Sequence, residues 1–130
     1  MAIADGIQTA DWKAEKHAPV IESPDTVKSG EKFSISASVG KEIPHPNTTE
    51  HFISWIQVYF RPEGEKFTIQ LADSQFTAHG ASAKGANEGS ALTEPAVTVD
   101  VKLKTSGTIQ ALSYCNIHGL WEAEKKITVS

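Results

Sequence analysis

Apolar residues recur along this chain with a period of two. Val97, Val99, Val101 and Leu103 alternate with Thr98, Asp100, Lys102 and Lys104, the pattern of a half-buried strand. Phe67, Ile69 and Leu71 alternate with Lys66, Thr68 and Gln70, and Phe33 to Val39 alternates with serines and small residues. Phe52 to Phe60 is apolar on both faces, which predicts a central strand. Thr108 to Tyr114 and Lys126 to Val129 complete the set, with a shorter strand around Val20 and Ile21. No segment sustains a 3.6-residue apolar repeat, so no long helix is expected. Turn signals fall between the strands at Ser29-Gly30, Pro62-Glu63-Gly64 and Ser106-Gly107. The pattern predicts an all-β fold, an immunoglobulin-like antiparallel β-sandwich of about seven strands. Ala78 to Ala91, small and polar with three glycines, reads as a surface loop.

At 130 residues the chain is expected to form one domain over 1–130, large enough for a core without disulfide staples. Its net charge of -4 gives no reason to expect a nucleic-acid partner. No run approaches the ~18 apolar residues that span a bilayer, so no membrane role is expected. Met1 to Trp12 has neither a basic start nor a continuous apolar stretch, so it does not read as a signal peptide. The single cysteine excludes an internal disulfide and suits a reducing cytoplasm. Asn47-Thr48-Thr49 matches a glycosylation sequon, which has no consequence for a chain that is not secreted.

Cys115 and His118 lie three residues apart in Cys115-Asn116-Ile117-His118-Gly119. A soft thiolate and a borderline imidazole on one loop favour a transition metal over calcium or magnesium. Two ligands do not hold a metal alone. His45 and His51 bracket Pro46-Asn47-Thr48-Thr49-Glu50, and His17 sits in Glu15-Lys16-His17-Ala18-Pro19. Together with Cys115 these four histidines could supply four nitrogens and one sulfur. Each motif falls on a loop at a strand end, where a rigid sandwich can present a site. Pro44 and Pro46 stiffen the approach to His45 and His51, and Gly119 permits a sharp turn after His118.

Those three segments, in that order, resemble the signature segments of superoxide reductase in its one-iron, neelaredoxin form, within the desulfoferrodoxin family. The resemblance runs nearly end to end and implies the same sandwich fold. It implies one mononuclear non-haem iron per chain, with His17, His45, His51 and His118 as equatorial ligands and Cys115 as the axial one. It implies a one-electron reduction of superoxide to hydrogen peroxide at the remaining position. Lys16 would attract the anion and orient a proton-donating water, and Glu15 would bind the metal in the resting ferric state. Backbone N–H groups of Asn116 and Ile117 would point at the Cys115 sulfur. The two-iron relatives carry an N-terminal four-cysteine iron site, which one cysteine cannot build. Electrons must then come from a partner, by resemblance rubredoxin or a similar small carrier. The one-iron members imply a homotetramer.

Other readings explain fewer residues. A cupredoxin-like electron carrier normally adds an axial methionine shortly after its second histidine, but the only methionine is Met1. A structural zinc site closes with four ligands, one fewer than the motifs offer. A hydrolase with Cys115 as nucleophile and His118 as base lacks an orienting or oxyanion group in these motifs. A plain interaction module leaves the histidines unexplained. His79 lies outside the motifs and reads as a surface or hydrogen-bonding histidine. Trp12, Trp55 and Trp121 read as core residues, with Trp121 placed to wall the Cys115 loop.

Overall fold

A computed structural model describes residues 1–130 as two packed β-sheets. The strands are β1 (Ile7–Gln8), β2 (Pro19–Glu22), β3 (Thr26–Val27), β4 (Lys32–Val39), β5 (Ile53–Pro62), β6 (Ile69–Gln75), β7 (Ala96–Lys102), β8 (Gly107–Cys115) and β9 (Gly119–Val129). One sheet runs β1-β9-β8-β5-β6, with β3 also on β9; the other runs β2-β4-β7. The only helical element is a 3-10 turn over Ile3–Gly6, and no helix is long and apolar enough to cross a membrane.

All seven expected strands form, with shifted bounds. β9 begins at Gly119 rather than Lys126, because the hairpin through Cys115 and Gly119 zips directly back along β8. Its first half alternates glutamates with Trp121 and Ala123 and so carries too little apolar signal to stand out. β6 starts at Ile69, and Phe67 and Ile69 are exposed: the alternation there does not mark a buried face. The two-residue strands β1 and β3 have no periodicity to detect, and both pair with β9 in parallel. That is a local departure from an antiparallel sandwich.

The core lies between the sheets. Ile35, Ala37 and Val39 of β4 pack with Ile56, Val58 and Phe60 of β5, Ile109 and Ala111 of β8, and Ile127 of β9. Each fully buried isoleucine contributes about 1.5–3 kcal/mol. Two antiparallel pairings then bring the motifs to one end. The start of β2 lies against the end of β4 through Pro19 and Val39. The start of β5 lies against the end of β8 through Ile53 and Cys115. The segments before β2, between β4 and β5, and between β8 and β9 therefore meet at the same edge of the sandwich.

Candidate metal centre

The Gly40–Phe52 loop carries two of the histidines, and its path is held by local bonds. Gly40 adopts φ +91°, and a side chain there would come within 2.9 Å of the His45 backbone nitrogen. The His45 Nδ1–H donates to Pro46 O at 2.7 Å, which leaves Nε2 facing the site. The His51 N–H donates to Thr48 Oγ1 at 3.1 Å and the Thr48 N–H to His51 O at 3.0 Å. Asn116 stitches this loop to the β8–β9 hairpin. Its Nδ2 donates to Glu50 O at 2.9 Å, and its Oδ1 accepts the Phe52 N–H at 2.9 Å.

His17, 6% exposed, is fixed ahead of buried Ala18 and Pro19. Its Nδ1–H and its backbone N–H both donate to Glu15 Oε1 at 2.8 Å, so Nε2 carries the lone pair. Trp121 stacks on the His17 ring, with centroids 5.1 Å apart and planes 13° apart. The Trp121 Nε1–H also donates to His118 O at 3.2 Å, and Gln8 Nε2 donates to the same carbonyl at 3.0 Å. Trp121 thus walls the hairpin as expected, and it alone of the three tryptophans is buried. The Gln8 contact depends on the parallel β1–β9 pairing and had no signature in the sequence.

The four imidazoles form a closed ring. Successive centroids are 4.9 Å (His17–His45), 4.6 Å (His45–His51), 5.0 Å (His51–His118) and 4.6 Å (His118–His17) apart, and the diagonal His17–His51 is 6.1 Å. Inside it, His118 Nδ1 lies 3.0 Å from His17 Nε2 and 3.2 Å from His51 Nε2. Cys115 Sγ, fully buried, is 3.8 Å from the same Nδ1. The donor atoms of His17, His45, His51 and Cys115 all lie within 4.8 Å of one another. His45 Nε2 is buried without any hydrogen-bond partner, a costly state for a polar atom unless something else binds it.

These atoms fit a metal ion. A first-row ion binds an imidazole nitrogen at about 2.0–2.1 Å, so neighbouring nitrogens at right angles stand about 3.0 Å apart, near the observed spacings. Converging lone pairs at such distances repel unless a cation lies between them. Burial pushes the His45 imidazole down to about 4, with His17, His51 and Lys16 adding to the effect against the Pro46 carbonyl. Burial, then His118, His17 and Lys16, lowers His51 as well. Both shifts favour the neutral imidazole, the form that ligates a metal. Five donors exceed a closed tetrahedral zinc set and leave an octahedral ion one direction free of protein.

One expectation needs correction in detail. The Asn116 N–H goes to Phe52 O at 3.2 Å; it is the His118 N–H that donates to Cys115 Sγ, at 3.3 Å. Glu15 is seen on His17 rather than among the donor atoms. Partial burial works to raise its carboxyl, but the two His17 N–H bonds outweigh that and hold it below the ordinary range. Of the two readings of His79, the hydrogen-bonding one holds: it is 8% exposed, with both ring nitrogens bonded.

The desulfoferrodoxin family model matches residues 9–124. A neelaredoxin of Megalodesulfovibrio gigas is 53% identical over 99% of this chain and 99% of its own length. A superoxide reductase of Pyrococcus furiosus is 52% identical over 94% of this chain and 96% of its own. A crystal structure of a Thermotoga maritima protein, 58% identical, covers 100% of this chain and 98% of its own with a TM-score of 0.97.

Proposed function

This chain belongs to the desulfoferrodoxin family, and on that premise we propose that it is an iron-dependent superoxide reductase. The observation that carries the reading is the closed ring of four imidazoles with the Cys115 sulfur against it. His17, His45, His51, His118 and Cys115 would hold one mononuclear non-haem iron. Iron bound there supplies the electron that, with two protons, converts superoxide to hydrogen peroxide. A thiolate ligand pushes electron density onto a metal, and the His118 N–H on its sulfur tempers that donation.

The chain's own residues do the rest. Lys16 is near enough to His45 and His51 to oppose their protonation, so its ammonium also acts on an anion arriving there. In a protein of net charge -4 this local positive field raises the encounter rate with superoxide. Lys16 also orients a water that delivers a proton to the product. Glu15 holds the His17 tautomer through Nδ1; to serve as a ligand for an oxidised metal held by the ring, its carboxylate would have to leave His17.

One cysteine leaves no second iron–thiolate centre in the chain, so each turnover draws its electron from a small external carrier such as rubredoxin. We further propose one domain over 1–130, a homotetramer, and action in the cytoplasm. The cupredoxin alternative is disfavoured because Met1, the only methionine, is fully exposed at the N-terminus.

Iron content per chain, with visible spectra of oxidised and reduced protein, tests the metal. Near one iron, with a low-energy band that bleaches on reduction, is expected. Fast consumption of superoxide without any external reductant would instead identify a dismutase.

A further inference from the structure

His79 is the histidine outside the metal motifs, yet it is buried and fully bonded. Its Nδ1 lies 2.8 Å from Asn47 Oδ1 and its Nε2 lies 2.7 Å from Phe76 O. Both partners are acceptors. The Asn47 amide cannot be turned over, because its Nδ2 already donates to Thr93 O at 2.9 Å. A turned amide would set two oxygens against each other at that distance. The ring also stacks on Phe52, with centroids 3.9 Å apart and planes 8° apart.

Asn47 lies between His45 and His51, and Phe52 directly follows His51. Phe76 follows the end of β6, and its N–H donates to Ser54 O at 2.8 Å. Resting on the reading that these histidines hold iron, we propose that His79 is a positioning residue of the metal centre. Its two ring contacts, to Asn47 Oδ1 and Phe76 O, and its stack on Phe52 fix the His45–His51 loop against the end of β6.

The test uses the full-length protein with iron bound. His79→Phe keeps a ring on Phe52 and removes both polar ring contacts. With far-UV circular dichroism unchanged, it should lose iron to a chelator about ten-fold faster and shift the visible band. A residue that is merely structural would lower the melting temperature and leave the band in place, and wild-type iron release would also count against the proposal. If His79→Phe does not fold, His79→Gln replaces it: one amide donor remains for Phe76 and none for Asn47, so the same faster release is expected. Failure of the wild-type chain to hold iron would defeat the functional reading, and the positioning role with it.

Discussion

His17 Nε2 and His118 Nδ1 stand 3.0 Å apart although 101 positions separate them in the chain. Neither loop reaches the other unaided. His17 is placed by the start of β2 in the three-stranded sheet, and His118 by the β8–β9 hairpin in the larger one. Trp121 bridges them, stacking on the first and bonding the carbonyl of the second. The site is thus assembled by the packing of the two sheets, and its donor spacing reports how well they pack.

Replacing the sulfur tests the fifth donor. Cys115→Ser puts an oxygen where a fully buried sulfur accepts the His118 N–H. The low-energy visible band of the oxidised protein should disappear rather than shift, because no other thiol is present. A band that survives the change would remove Cys115 from the ligand set.

Lys16→Ala should leave iron content intact and slow the encounter with superoxide by roughly two- to ten-fold, with a weaker dependence on ionic strength. Pulse radiolysis over a salt series measures both. An unchanged rate and salt slope would take Lys16 out of the mechanism.

Glu15→Ala leaves the His17 Nδ1–H without its carboxylate acceptor. Iron affinity, measured by chelator competition, should fall about ten-fold. Glu15→Gln keeps an acceptor oxygen and should lose less. Equal affinities for both variants and the wild type would mean that the carboxylate does not orient the ring.

The candidate donor set was legible because its chemistry is local: Cys115-x-x-His118, His45 to His51 and Glu15-Lys16-His17 are short strings. The strands that place them were legible from period-two apolar runs such as Val97 to Leu103. What escaped was whatever depends on partners distant in sequence. The Gln8 bond to His118 O requires a two-residue parallel pairing. The inward turn of His79 requires Asn47 and Phe52, 32 and 27 positions away along the chain, to meet it. Phe67 and Ile69 show the converse: their alternation is clean, but no second layer covers them.

The last prediction separates backbone strain from ligand placement at one glycine. Gly40 has φ +91°, and an added Cβ would lie 2.9 Å from His45 N and 3.4 Å from Pro44 Cα. Gly30 also has a positive φ, +78°, but a Cβ there meets nothing within 4 Å. Gly30→Ala should cost about 1 kcal/mol from the left-handed backbone alone and leave iron content unchanged. Gly40→Ala carries a similar backbone cost and must also push the His45 backbone away. Its unfolding free energy should therefore fall by about 2–3 kcal/mol, and iron content should fall with it. Thermal or urea unfolding of the metal-free proteins, set beside iron content after reconstitution, resolves the two contributions. If Gly40→Ala destabilises the fold no more than Gly30→Ala and still holds a full iron complement, then the close approach of Gly40 to His45 does not set the position of that ligand.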